Sequence, residues 1–308
     1  METIVMTGAT RGIGAHAAVG IAAAAPGATM VLLVRNAGDV SWFIDEVGDH
    51  VGVHVIEADL ADIGVTTMAA SEITRLVERG TIPAVSCLVL NAGVQRTNAT
   101  GRSVDGLELT FAVNVVANHL LVRGVAPHMR PGGRIVITVS DTHFGDLRHN
   151  LGMVPGPRWQ APDILARPGW PRRSGSARAG RTAYSTSKLA GLYQVHEYAR
   201  QYPELTVVGY NPGFVPGTGL ARHAGPLSRA VVTRVLPALT RTPLAWTTQT
   251  VSHHLAELVA TRSATTSGGY ITRDHPEPSS VQSYDRQREH DLIAYLDGLT
   301  DTPTVSES

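Results

Sequence analysis

Between the apolar run Thr3–Met6 and the alanine-rich run Ala15–Ala25 stands Thr7-Gly8-Ala9-Thr10-Arg11-Gly12-Ile13-Gly14. A glycine-rich turn that closes a first strand and opens a first helix has a specific physical use. Its glycines let the backbone turn tightly and come close to a pyrophosphate, and the helix start supplies free N–H groups and a positive dipole end. Glycine alone would mean little in a chain that holds 31 of them. The position between strand and helix is what carries the inference.

The rest of the chain alternates in the same way. Short β-branched runs predict strands over Thr3–Thr7, Thr29–Val34, Val51–Ile56, Val85–Leu90, Arg134–Val139, Leu205–Tyr210 and Gly269–Ile271. Most of these runs are continuously apolar, as strands buried on both faces require. Helical segments are predicted over Ile13–Ala25, Val40–Asp49, Val65–Arg79, Asp105–Met129, Ala183–Gln201 and Leu244–Thr261. Strand–helix–strand repetition predicts an α/β fold: a single doubly wound parallel sheet of about seven strands, with helices on both faces.

Composition narrows the function classes. The chain has 308 residues, 43% hydrophobic and 17% charged, enough apolar side chain for a sizeable core. Its 26 basic and 26 acidic residues cancel, so no nucleic-acid partner is expected. The single cysteine, Cys87, lies in a strand-like run, which excludes a disulfide framework. No histidine has metal-ligand spacing beside acidic partners, so no metal is expected. No basic region precedes an apolar stretch at the N-terminus, and Ala15–Ala25 is too short to span a bilayer. A cytoplasmic protein without a membrane partner is the expectation, with homo-oligomer formation left open. Among the 26 basic residues only Lys188 is a lysine. In an arginine-biased sequence, a lone lysine marks a site where a compact donor with a shiftable pKa is needed.

Two stretches break the rhythm. Residues 141–183 hold five prolines, six glycines and seven arginines against three aspartates. A loop of that length is expected to be a substrate lid, with Trp159, Ile164, Leu165 and Trp170 over an apolar substrate and Arg172, Arg173, Arg178 and Arg181 facing an anionic group. From Asp274 to Ser308 there are eight acidic residues against two arginines. The expected organisation is one catalytic domain over 1–275, including the inserted lid, and an acidic tail over 276–308.

Further motifs follow the glycine turn in order: Asn91-Ala92-Gly93 after the fourth strand, Asn114 in the next helix, Ser140 after the fifth strand, Tyr184-Ser185-Thr186-Ser187-Lys188, and Asn211-Pro212-Gly213 after the sixth. Together they resemble the short-chain dehydrogenase/reductase family over about residues 1–272. Tyr184 and Lys188, four apart, share a helix face. A phenol of ordinary pKa near 10 is a poor acid–base group at neutral pH, and an adjacent ammonium is expected to lower that pKa. Ser140 can donate to a carbonyl oxygen on which negative charge grows. The resemblance implies that Tyr184 is the proton donor, that Lys188 also holds the nicotinamide ribose, and that Asn114 supports a relay water. It further implies Gly8, Gly12, Ile13 and Gly14 at the pyrophosphate, Asp59 and Leu60 at the adenine, and Asn91 and Gly93 beside the ribose. Pro212, Gly213 and Thr218 are implied near the nicotinamide amide.

The second strand ends Val34-Arg35-Asn36, without the acid that would bind a 2′-hydroxyl. Arg35, joined by Arg11, is placed to pair with a 2′-phosphate, so NADP(H) is the expected cofactor. Val34-Arg35-Asn36 and the long Ser140–Tyr184 interval resemble the retinol dehydrogenase and protochlorophyllide reductase branch. The expectation is a carbonyl reductase acting on a mid-sized organic small molecule. The alternatives are reduction of a C=C or C=N bond on the same scaffold, or a cofactor-binding regulator without turnover.

Overall fold

The computed structural model describes residues 2–150, 152, 154–215, 246–260 and 266–301. Eight strands form one sheet among these residues: β1 (Thr3–Thr7), β2 (Thr29–Val34), β3 (Gly52–Glu57), β4 (Val85–Leu90), β5 (Met129–Thr138), β6 (Thr206–Asn211), β7 (Gly269–Thr272) and β8 (His275–Glu277). Their order is β3-β2-β1-β4-β5-β6-β7-β8, parallel except for the β7–β8 pair. The order reverses about β1, which opens a crevice at the carboxyl ends of β1 and β4. Thr7 is in register with Leu33 and Leu90, and Leu90 with Ile137.

Helices α1 (Gly12–Ala24), α2 (Ser41–Val47) and α6 (Thr248–Ala260) cover one face. On the other lie α3 (Ile63–Glu78), α4, α5 (Ala177–Gln201) and α7 (Arg286–Asp301). Helix α4 is α-helical over Leu109–Phe111, π-helical over Ala112–Val116 and α-helical again over Ala117–Val125. Every residue of β1 and β4 is buried, because both faces of the sheet are covered.

The structure differs from the sequence expectation in three places. The boundary at 275/276 falls inside β8, and the tail is not an appendage. Helix α7 buries Leu292, Ile293 and Leu296 in the main core. Its Glu289, 1% exposed, accepts hydrogen bonds from Arg200 and His196 of α5. Charge in this tail therefore hid an amphipathic helix.

Helix α5 starts at Ala177, six residues before the predicted Ala183. Ser176 caps it by accepting from the Ala179 N–H at 3.2 Å. Gly180 reads as a loop glycine in the sequence, yet it serves close packing: a Cβ there would sit 2.3 Å from the Arg96 carbonyl oxygen.

The third difference concerns the lid. Residues 141–150 stay at the Ser140 end of the sheet, and Gly156 packs against Gly145 there. Further along, Leu165 is buried in the core and Trp159 packs edge-on to Tyr193 at 4.7 Å between centroids. The Arg158 N–H donates to Thr186 Oγ1, and Ala99 exchanges backbone hydrogen bonds with Gly169 and Ser174. At 100° per residue, Thr186 and Tyr193 lie about 160–180° around α5 from Tyr184. Trp159 is thus spent on the back of α5 and Leu165 in the core, where its short helical turn meets α7, and not over the crevice.

Candidate active site

The turn after β1 is built from backbone. Gly8 and Gly12 adopt φ of 72° and 57°, where a side chain is strained. At Gly14 a Cβ would lie 2.0 Å from the Gly8 carbonyl oxygen and 2.5 Å from Asn91 Nδ2. Over Gly12, by contrast, a Cβ would meet nothing within 4 Å. No side chain caps the start of α1 at Arg11. A dipole end without a side-chain cap beside open space is a fitting seat for a pyrophosphate, with Gly12, Ile13 and Gly14 presenting their backbone.

Asn91 braces this turn. Its Nδ2 donates to Gly8 O at 3.2 Å, and its Oδ1 accepts from Thr138 Oγ1 at 3.2 Å. Both ends of the side chain are engaged by protein, so Asn91 shapes the crevice. Asp59 is similarly occupied, accepting from the Ala61 N–H at 3.0 Å, while Leu60 packs against the core. Arg35 is exposed at the end of β2. Glu57, opposite Val34 in the β2–β3 register, accepts from the Ala37 N–H at 2.7 Å. The sequence reading overlooked this acid because it lies on the neighbouring strand.

Past β6, Asn211 Oδ1 accepts from the Gly213 N–H at 3.0 Å, and Gly213 takes φ of 71°. Pro212 and Gly213 therefore stand at the sheet's carboxyl edge. Thr218 lies outside the described residues.

Ser140, Tyr184 and Lys188 converge at the ends of β5 and α5. The Ser140 side chain lies beside the Tyr184 hydroxyl and favours its ionised form. Lys188 Nζ donates to the Thr138 carbonyl at 2.7 Å and sits 5.6 Å from the Tyr184 ring centroid. Burial lowers the Lys188 pKa from 10.5 to about 8. The phenol departs from expectation. Burial pushes Tyr184 up to about 12, with the Ser140 hydrogen bond opposing and the Asp141 charge adding to the rise. The ammonium lies over the ring and is held by a carbonyl, so its charge does not offset the desolvation of the phenolate.

Asn114 occupies the π-helical turn of α4, a distortion common at functional sites. Its Oδ1 accepts from the Val94 N–H at 2.8 Å, and its Nδ2 donates to Val94 O at 3.0 Å and Ser187 Oγ at 2.9 Å. Its main-chain oxygen accepts from Asn118. Asn114 clamps the strand-end loop onto α5 at Gly93, where a Cβ would lie 3.5 Å from both Asn114 Oδ1 and Lys188 Nζ.

The short chain dehydrogenase family model matches residues 2–149. A candidate daunorubicin C-13 ketoreductase of Streptomyces sp. (strain C5) is 31% identical over 218 residues, which is 70% of this chain and 66% of that protein. The chain belongs to the short-chain dehydrogenase/reductase family. Protochlorophyllide reductase A of Triticum aestivum is a more distant homologue, 28% identical over 286 residues, covering 87% of this chain and 71% of the relative. A short chain dehydrogenase of Burkholderia cenocepacia J2315, solved in complex with NADP, superposes with a TM-score of 0.63 at 24% identity, over 89% of this chain and 96% of that one. The chain is thus an oxidoreductase of a family that uses NAD(P)(H).

Two residues of this dehydrogenase fold went unread in the sequence. Asp141 follows Ser140 directly and accepts from its Oγ at 3.3 Å. Burial raises its pKa to about 6, with the Ser140 hydrogen bond and His149 opposing. An acid beside a candidate catalytic serine was the signal available. His143 has no such signal, because its partners come from the far C-terminus. Its Nε2 accepts from the Ser280 N–H at 3.0 Å, so Nδ1 carries the proton and donates to Ser140 O at 2.6 Å.

Proposed function

We propose that this short-chain dehydrogenase/reductase is an NADPH-dependent carbonyl reductase with Tyr184 as its proton donor. The reading rests above all on the half-buried Tyr184–Ser140 pair with buried Lys188 beside it. A phenol with a pKa near 12 stays protonated at neutral pH, so the proton to be given is in place, while its release costs more than from a phenol of ordinary pKa. NADPH, when bound, supplies the hydride. Ser140 Oγ can donate to the substrate oxygen as negative charge gathers there. Tyr184 gives its proton to that oxygen. Gly12, Ile13 and Gly14 would hold the pyrophosphate, and Lys188 the ribose next to the reacting ring.

Arg35, exposed where an acid would exclude a 2′-phosphate, supports NADPH over NADH. One arginine–phosphate pair contributes about 1.5–3 kcal/mol, or about ten- to hundredfold in affinity. The Streptomyces ketoreductase relative supports carbonyl chemistry. The likeness to protochlorophyllide reductases over 87% of the chain favours C=C reduction as the second reading.

The test is an arrayed panel of ketones, aldehydes, conjugated alkenes and imines, followed by NADPH absorbance. Turnover of carbonyls, lost in Tyr184→Phe by about 10²–10⁴ with NADPH affinity unchanged, is expected. Turnover confined to alkenes or imines, or a Tyr184→Phe variant keeping more than about a tenth of kcat, would overturn the assignment. Fluorescence titration of NADPH and NADH against Arg35→Ala tests the cofactor preference.

A further inference from the structure

A second cavity of about 480 Å³ opens on the back of α5, lined by Arg158, Arg172, Arg173, Ser176, Arg178 and Thr182. Thr182 is about 160° around the helix from Tyr184. A molecule in this cavity therefore does not meet the reacting centre.

Four guanidinium groups border the cavity, and among the described residues none of the four pairs with a carboxylate. Residues 216–245 and 261–265 contain no aspartate or glutamate, and Glu307 lies outside the described residues. Elsewhere some arginines have such partners: Arg123 meets Asp297 at 3.2 Å, Arg130 meets Glu2 at 2.9 Å, Arg167 meets Asp163 at 2.6 Å and Arg288 meets Asp285 at 3.0 Å. All four side chains are exposed, so solvent screens their mutual repulsion, and an anion among them relieves what remains.

The backbone bears a cost at the same place. Arg173 adopts φ of 60°, a left-handed conformation that is strained for a non-glycine residue. It lies in the turn that leads into α5, where Ser176 N–H donates to Arg173 O at 2.9 Å. Ser176 already caps the helix, so the guanidinium forks are the receptor and the helix dipole adds a favourable field. Planar forks match phosphate oxygens two at a time. The volume lies within the range of small-molecule sites, about 300–1,000 Å³.

We propose that this cavity binds a phosphorylated small molecule at a site separate from the hydride-transfer centre. The proposal is independent of the reductase reading, since it uses no residue of the glycine turn or of the Tyr184 cluster. Its energetic link to that cluster is α5 itself, because the bordering residues Ser176, Arg178 and Thr182 lie at the start of the helix that carries Tyr184.

Calorimetric titration of the full chain with inorganic pyrophosphate, with and without saturating NADPH, tests it. Expected is one pyrophosphate per chain in the presence of NADPH, weakened at least tenfold in Arg172→Gln/Arg178→Gln and weakened by added salt. The double variant should keep wild-type NADPH affinity and thermal stability, which excludes misfolding. Arg158→Gln, on a different loop, should weaken pyrophosphate in the same direction. Titration with inorganic phosphate and with a phosphate monoester such as glycerol phosphate separates recognition of the anion from recognition of an attached group. No binding at millimolar pyrophosphate, or equal binding by wild type and the double variant, would overturn the site. So would variant-sensitive binding to anionic vesicles without binding of pyrophosphate, since the patch would then face a membrane.

Discussion

Lys188 should be a residue that activity needs and stability opposes. It is 6% exposed, and its Nζ has the Thr138 carbonyl at 2.7 Å as a hydrogen-bond acceptor. Keeping an ammonium charged after its pKa has fallen from 10.5 to about 8 costs about 3 kcal/mol at neutral pH, at about 1.4 kcal/mol per tenfold change in proton affinity. Lys188→Met keeps most of the side-chain volume and removes that cost. It also leaves the Thr138 carbonyl without its donor, a loss of about 1–2 kcal/mol. The variant should therefore be more stable than wild type by about 1–2 kcal/mol, while reductase activity falls by at least about a hundredfold. The pH dependence gives the sharper check. Between about 8 and 10.5 the unfolded lysine holds its proton and the folded one does not, so wild-type stability rises with pH across that window. The advantage of Lys188→Met should be largest below pH 8 and vanish by about pH 10.5. Urea denaturation of both proteins across that range measures it. A variant less stable than wild type at neutral pH, or an offset that does not narrow with pH, would refute the reasoning.

The glycine turn allows a paired test. Gly14→Ala must displace the Gly8 carbonyl, which would sit 2.0 Å from the new Cβ, and should destabilise the fold by about 1–3 kcal/mol or more. Gly12→Ala has open space and only the cost of a left-handed alanine, about 1 kcal/mol, so thermal melts should separate the two. NADPH titration should show that Gly12→Ala nevertheless loses affinity, because its methyl fills the cofactor's approach. For Asp141, protonation below about pH 6 weakens its hold on the Ser140 hydroxyl and frees that hydroxyl for substrate. Wild-type kcat/KM for reduction should rise as pH falls through 6, and Asp141→Asn should be flat there, with His149, Arg273, Glu277 and Tyr184 as the charged or titratable neighbours left intact. Burial lowers the His143 pKa from 6.5 to about 4, so the neutral ring contributes stability above pH 6.5 that is lost as pH falls through 4. His143→Gln should flatten that part of the acid-denaturation profile, and an unchanged slope would refute the assignment.

The sheet was legible because parallel strands buried on both faces must be continuously apolar. The first, second and fourth predicted strands coincide with β1, β2 and β4. Motif residues were legible for a related reason: each sits at a strand's carboxyl end or one helical turn away, where local sequence and position in the fold coincide. What stayed hidden depends on partners distant in the chain. The charge of the tail masked α7, whose Glu289 is buried by pairing with α5 residues about ninety positions earlier. Prolines and glycines of 141–183 marked irregular backbone correctly, but they could not say that Trp159 would pack on the back of α5 and Leu165 in the core. His143 gains its role from Ser280, 137 residues away, and no spacing rule reaches that far.

Burial moves three ionisable groups of the candidate site in one chemical direction. Tyr184 rises to about 12, Asp141 rises to about 6 and Lys188 falls to about 8. Each change favours the neutral form, as desolvation requires. A site of this kind is prepared for negative charge that arrives from outside and lands on a substrate oxygen. Run in reverse, it must first make a phenolate at Tyr184, which at neutral pH costs about 7 kcal/mol for a pKa near 12. Reduction begins from the protonation state that the fold already holds, whereas alcohol oxidation begins from one the fold resists. The same burial that keeps the Tyr184 proton in place at neutral pH also makes that proton harder to give up, and the phenolate that oxidation needs forms more fully as pH rises.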